Sequence, residues 1–232
     1  MIHLTQARKT FGDKVAVEGL DLTVNDGEIF GFLGPNGAGK TTTIRMIAGL
    51  LRPDSGQVLV NGVDVRREPI RAKREMAYVP DGPDVYEKLT GAQFVNFVAD
   101  AFRVPRAERA RRTAELAAAF EMAGVLGDQI ESYSHGMRQK IVLIAALVHD
   151  PRVWILDEPL VGLDPRAAFA LKTMLRRHAD GGATVFFSTH VLEVAEKLCD
   201  RVGIISQGRL IACGTLAELR SSPDESLESL FL

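Results

Sequence analysis

Apolar positions along the chain fall into three regimes. The first regime holds short β-like runs: Ile2 to Ala7, Val15 to Val24, Ile29 to Leu33 and Val58 to Val60. Turn-forming clusters separate them at Asn25-Asp26-Gly27, Pro53-Asp54-Ser55-Gly56 and Asn61-Gly62. A helix is expected to open at the glycine-rich turn after Leu33 and to run through Thr42 to Leu50. The second regime, residues 81–150, is mostly helical in pattern. Thr90-Gly91-Ala92-Gln93 reads as a capping box, and Phe94, Val98, Ala101 and Phe102 follow at helical spacing. Ala107 to Met122 is rich in strong helix formers, and Ile141 to Val148 reads as a buried helix entered after Ser134. The third regime returns to strand–helix alternation. Val153 to Leu156 and Thr184 to Phe187 are short apolar runs of the kind covered on both faces. Asp164-Pro165 opens a helix carrying Phe169 to Leu175, and Thr215-Leu216-Ala217-Glu218 is a further capping box. The pattern predicts an α/β fold, a parallel-sheet core interrupted by a helical insertion.

Composition adds mostly exclusions. The 232 residues suffice for one sizeable α/β domain, and 46% are hydrophobic, so a large core can be buried. The net charge of -2 gives no electrostatic case for non-specific nucleic-acid binding. Cys199 and Cys213 lack metal-ligand spacing and are expected to be inert, reduced thiols. The N-terminus shows no apolar signal core, and the longest apolar run, Ile141 to Val148, is far shorter than the roughly 20 residues a bilayer span needs. A soluble protein is expected, with any membrane part supplied by another chain.

Chemistry concentrates at the ends of the apolar runs. Gly34-Pro35-Asn36-Gly37-Ala38-Gly39-Lys40-Thr41 fits the phosphate-binding loop pattern, after a strand and before a helix. Its glycines allow a tight turn whose N–H groups, with the helix N-terminus, cradle phosphates. Lys40 is placed to reach the β- and γ-phosphates and Thr41 to offer its hydroxyl to Mg²⁺. By itself the loop says nucleotide triphosphate without choosing between kinase, GTPase and ATPase. Asp157-Glu158 ends an apolar strand, at the edge where α/β proteins bind ligands. Asp157 suits Mg²⁺, and Glu158 suits the deprotonation of an attacking water. His190 also follows an apolar strand, as either a γ-phosphate contact or a plain surface residue.

Tyr133-Ser134-His135-Gly136-Met137 resembles the signature motif LSGGQ of the ABC cassettes, with Ser134 and Gly136 kept. Gly34 to Thr41 resembles Walker A, Trp154 to Glu158 Walker B, Gly162-Leu163-Asp164 the D-loop and His190 the switch histidine, all in family order. Phe11 stands where the family carries an adenine-stacking aromatic, or is simply a loop aromatic. Asp81 stands where most members have a glutamine and, as a carboxylate, only accepts hydrogen bonds.

This resemblance implies a P-loop NTPase (RecA-like) core with a mostly parallel sheet, an N-terminal antiparallel β-subdomain and an inserted α-helical subdomain. Residues 1–232 then form one cassette, with 1–80 and 151–232 as the ATP-binding core and 81–150 as the helical signature subdomain. It implies catalytic roles for Glu158, His190 and Lys40. Nucleotide contacts fall to Phe11, Gly34, Pro35, Asn36, Gly37, Ala38, Gly39, Lys40, Thr41, Thr42, Ser134 and Gly136. Thr41, Asp157 and Asp81 are the implied Mg²⁺ ligands. It further implies two ATP molecules clasped between two cassettes, the second expected to be another copy. A separate integral membrane permease would hold the pair on the cytoplasmic face of the cell membrane. No nucleic acid and no transported substrate are expected to bind this chain. The spelling YSHGMRQK, the Asp81-Gly82-Pro83 segment and the short C-terminal tail resemble the exporter branch. The alternative is a soluble, non-transport ABC ATPase of the cluster-assembly kind. A kinase or GTPase leaves Ser134, Asp157-Glu158 and His190 together unexplained.

Overall fold

The computed structural model describes residues 1–219. In chain order these form β1 (Ile2–Phe11), β2 (Lys14–Val24), β3 (Ile29–Leu33), α1 (Lys40–Ile47), β4 (Ser55–Val60), β5 (Val63–Asp64), α2 (Pro69–Arg74) and β6 (Met76–Val79). Then come α3 (Gly91–Ala101), α4 (Arg106–Ala119), a 3-10 turn (Ile130–Ser132), α5 (His135–Leu147), β7 (Val153–Asp157) and α6 (Pro165–Asp180). The last elements are β8 (Thr184–Thr189), α7 (Leu192–Leu198), β9 (Arg201–Ser206), β10 (Arg209–Gly214) and α8 (Leu216–Leu219).

Two sheets organise the chain. An antiparallel sheet runs β2-β1-β4-β5, and a six-stranded sheet runs β10-β9-β3-β8-β7-β6. In the larger sheet every pairing is parallel except that of β9 with β10. The turn predicted at Pro53 to Gly56 is stapled to β1 by Asp54, which accepts from the Thr10 backbone and hydroxyl, both at 2.7 Å, and from Lys9 at 2.7 Å. Those donors hold its carboxyl well below the usual range.

The central strands carry no polar face, because both faces are covered. Val153 and Ile155 of β7 and Phe186 of β8 enter one core with α1, the antiparallel sheet and Phe30 and Phe32 of β3. Trp154, Leu156, Val185 and Phe187 face the opposite core, shared with α3, α4, α5 and α6. The helical stretch therefore packs on the sheet through one continuous apolar cluster. Parallel register then aligns the strand ends. Leu33 lies opposite Thr189, Asp157 opposite Ser188 and Val79 opposite Leu156. The polar residues that follow these strands must emerge together along one edge.

The predicted caps are present. Thr90 and Gln93 form a reciprocal capping box, and the Asp164 and Ser134 side chains accept from Ala167 N and Met137 N. Thr215 and Glu218 close the same kind of box at α8. The first helix is shorter than the pattern predicts and ends at Ile47. Gly49 there adopts a φ of +64° and turns the chain out of the helix, which leaves Leu50 exposed. Phe11 belongs to the end of β1 rather than to a loop. Cys199 presses on β3, where a Cβ on Gly31 would lie 2.6 Å from its sulfur, and burial pushes its thiol up.

His149, just after α5, stacks on Phe102 with ring centroids 3.7 Å apart, and its Nε2–H donates to Met76 O at 3.1 Å. Burial lowers its pKa to about 4 from the ordinary 6.5. As pH falls below 6.5 the unfolded chain takes up this proton while the folded chain refuses it until about 4. Stability from this group is therefore full above pH 6.5 and lost progressively toward pH 4, by about 3 kcal/mol in all. Urea unfolding of the His149→Gln variant across that window should show a shallower loss than the parent; identical pH slopes would refute the assignment.

Candidate functional site

The glycine-rich loop leaves β3 at Leu33 and must thread between other backbones. A Cβ on Gly34 would lie 2.4 Å from Ile205 O, and one on Gly39 would lie 2.5 Å from Ala16 O. Gly39 also holds a φ of +112°, so glycine is required there on both counts. The turn delivers Lys40 to the first position of α1. Its ammonium is almost fully buried and donates to Gly34 O at 2.6 Å and Pro35 O at 3.3 Å. The side chain thus arches back over its own loop, beside the unpaired N–H groups of the helix start.

The neighbouring strand end supplies the acids. Asp157 is 1% exposed. Its Oδ1 accepts from Ser188 Oγ at 2.6 Å, while Oδ2 has no hydrogen-bond partner among the described residues. Glu158 takes a φ of +48°, a left-handed conformation unusual outside glycine, and its N–H donates to the same Ser188 Oγ at 3.0 Å. That backbone turn aims the carboxylate along the edge. Glu158 Oε1 sits 2.9 Å from His190 Nδ1 and 4.0 Å from Lys40 Nζ. Lys40 from the start of α1 and His190 from the end of β8 therefore flank one oxygen of Glu158.

A cleft of about 250 Å³ opens in front of them. Phe11, Asn36, Gly37, Gly39, Lys40, Thr41, Thr42, Asp81, Asp157 and Glu158 all border it. Gly34, Pro35 and Ala38 complete the turn behind it, and His190 stands beside it on Glu158. Phe11 is half exposed, with the Lys9 ammonium 5.6 Å from its ring centre. Sequence reasoning missed Lys14 and Ala16, which also border the cleft, and Ser188, the shared anchor of both acids. Only the hydroxyl at the end of the apolar run could have signalled Ser188.

Ser134 and Gly136 lie outside this cleft. They begin α5 and pack against the loop before α6. A Cβ on Gly136 would come 2.8 Å from Gly162 O, and one on Gly162 would meet the His135 ring at 2.9 Å. Lys140 pairs with Asp164 at 2.6 Å and holds that carboxyl below its usual range. The start of α5 and the cleft of the glycine-rich loop are thus two separate places in one chain.

The donor set in the cleft fits Mg²⁺. A buried carboxylate has one orphaned oxygen, and a threonine hydroxyl and a second aspartate stand on the same wall. Hard oxygen donors, few of them from protein, are what Mg²⁺ takes when phosphates complete its shell.

A family model described as ABC transporter matches residues 17–161, more than half of the chain. The chain is 38% identical over 221 residues to the linearmycin resistance ATP-binding protein LnrL of Bacillus subtilis (strain 168), covering 95% of this chain and 71% of that protein. It is 41% identical over 214 residues to the daunorubicin/doxorubicin resistance ATP-binding protein DrrA of Streptomyces peucetius, covering 92% of this chain and 65% of DrrA. It therefore spans about two thirds of DrrA's length. A solved structure of an ATP-binding subunit of an ABC transporter superposes with a TM-score of 0.95 at 33% identity, covering 100% of this chain and 98% of the other. The chain therefore belongs to the ABC transporter family, as one of its ATP-binding ATPase cassettes.

Proposed function

We propose that this cassette hydrolyses ATP to drive export through a separate membrane subunit, paired with a second copy so that two ATP molecules lie between them. The observation that carries the reading is the flanking of Glu158 by His190 and Lys40 beside the glycine-rich loop, with Glu158 Oε1 within 2.9 Å of one partner and 4.0 Å of the other.

Roles follow from position. The N–H groups of Gly34 to Thr41 face the phosphates, and Lys40 exchanges its carbonyl contacts for β- and γ-phosphate oxygens. Phe11 stacks on adenine from the rim. Thr41 and Asp157 hold Mg²⁺, with Asp81 near enough to reach it or its water. Bound there, Mg²⁺ neutralises charge on the phosphate oxygens. Glu158 accepts the proton of the attacking water as its oxygen bonds to the γ-phosphorus and ADP departs. His190 fixes the Glu158 carboxylate and contacts the γ-phosphate. Ser134 and Gly136 meet the ATP held by the partner copy, which supplies the second wall that this cleft lacks.

A groove of about 290 Å³ between α3, α5, β6 and the end of α1 is lined by Leu50, Tyr78, Pro80, Phe94, Val98 and Phe102. Tyr86 and Phe97 stay exposed on α3's side. This apolar groove receives a cytoplasmic loop of the permease. Among the described residues no helix is long and apolar enough to cross a membrane. The permease thus carries the transported substance and holds the cassette on the inner face. The names of LnrL and DrrA concern resistance to antibiotics, and export is the direction that fits such a role. Nucleic acid is not a partner, given the near-neutral charge.

Glu158→Gln should keep ATP affinity, lower turnover by roughly 10²–10⁴-fold and yield an ATP-dependent dimer on gel filtration. Full turnover in that variant would remove Glu158 as the base. Ser134→Arg should leave nucleotide binding by single chains intact and abolish the ATP-dependent dimer; a dimer that persists would place the second wall elsewhere. Ser188→Ala strips Asp157 of its one hydrogen bond and Glu158 N–H of its acceptor. It should cost about 2 kcal/mol of stability without nucleotide, read as a Tm lower by several degrees; an unchanged Tm would make Ser188 a bystander.

A further inference from the structure

At the opposite edge of the large sheet lies a cleft of about 670 Å³ that the nucleotide reading leaves unused. It sits between α4, the start of β7, the last turn of α6 and the loop before β8. Its volume is within the roughly 300–1,000 Å³ typical of small-molecule sites.

Four arginines border this cleft, and they differ in what they already hold. Arg111 is engaged by Glu108 at 2.6 Å and Glu115 at 2.7 Å, and Arg112 by Glu108 at 2.9 Å and Asp150 at 3.1 Å. Among the described residues the guanidinium groups of Arg152 and Arg177 make no hydrogen bond and no ion pair; Arg152 acts on Asp26 only through space. Between them the wall is apolar, formed by Leu116, Leu147 and Met174.

The deep wall carries a second, independent sign. Trp154 is 5% exposed and stacks on His178 with centroids 4.0 Å apart. Among the described residues its indole Nε1–H is buried without a partner, as is His178 Nε2. A buried donor left unpaired is costly, so a site that keeps one gains by offering it to an acceptor. Two free guanidiniums, an unpaired indole donor and an apolar wall are complementary to one kind of molecule.

We propose that this basal cleft binds a soluble amphipathic organic acid, with a carboxylate or sulfonate on an apolar body. The anionic head sits among Arg152, Arg177 and Trp154, where one of its oxygens accepts from the indole Nε1–H, and the apolar body lies along Leu116, Leu147 and Met174. Binding here is separate from the ATP cleft and does not depend on the roles given to that cleft.

Trp154 is the single tryptophan of the chain, so it reports on its own cleft. Decanoate, kept below its micelle concentration, is titrated into the full chain while the one indole N–H resonance and the tryptophan emission are followed. Both should move saturably with decanoate, and neither with decanol or inorganic phosphate. The Arg152→Gln/Arg177→Gln double variant should bind about tenfold more weakly and keep the parent's ATP turnover. A flat titration overturns the proposal. So does an equal response to decanol or phosphate, or equal decanoate affinity in the double variant. A response to anionic phospholipid vesicles but not to decanoate also overturns it, since the ligand would then be a membrane surface.

Discussion

Asp157 is a carboxylate placed where carboxylates are costly. It ends a strand buried on both faces, and only one of its oxygens has a partner among the described residues. Burial removes the water that would otherwise solvate such an oxygen, and a cation is a partner that can replace it. Much of the surrounding architecture serves this position. β8 pairs beside β7 in parallel register, which brings Ser188 level with Asp157. The same hydroxyl accepts from Glu158 N–H and so supports a left-handed backbone turn. That turn sends Glu158 toward Lys40 and His190 rather than into solvent. One serine between two strands thus fixes Asp157 and Glu158 together.

What the sequence made legible follows from range. The apolar runs that became β3, β7 and β8 were read directly, because strands covered on both faces need no alternation to be recognised. Caps at Thr90, Ser134, Asp164 and Thr215 were legible for the same reason, since a cap is settled within four residues. The phosphate loop was legible from spacing and context. Contacts between distant segments were not. β9 opens on Arg201, whose guanidinium pairs with Glu28 at 2.9 Å, and nothing local announces a strand that begins on a charge. The short α2, α7, β5 and β6 take their place from packing. Nor did the pattern show that Gly34 and Gly39 back onto Ile205 O and Ala16 O. Their need for glycine is set by strands far away in sequence.

Within one chain the start of α5 at Ser134 stands apart from the cleft of the glycine-rich loop. Between them, in contact terms, lies the loop before α6. His135 and Gly136 press on Gly162, and Lys140 grips Asp164, the N-cap of α6. The helix that carries Ser134 therefore cannot shift without disturbing that loop and the first turn of α6. The helix that Ser134 caps is thereby held against the loop that follows Asp157 and Glu158 in the same chain.

α6 also explains how the two edges of the sheet can communicate. Its 16 residues span about 24 Å, from Asp164 beside the signature helix to Arg177 and His178 on the basal cleft. Leu171 and Leu175 fasten its middle to the core. A ligand that gathers Arg152 and Arg177 would join the last turn of this helix to the loop that starts β7. Along α6, the path from the basal cleft ends at Asp164, the N-cap that Lys140 of α5 grips.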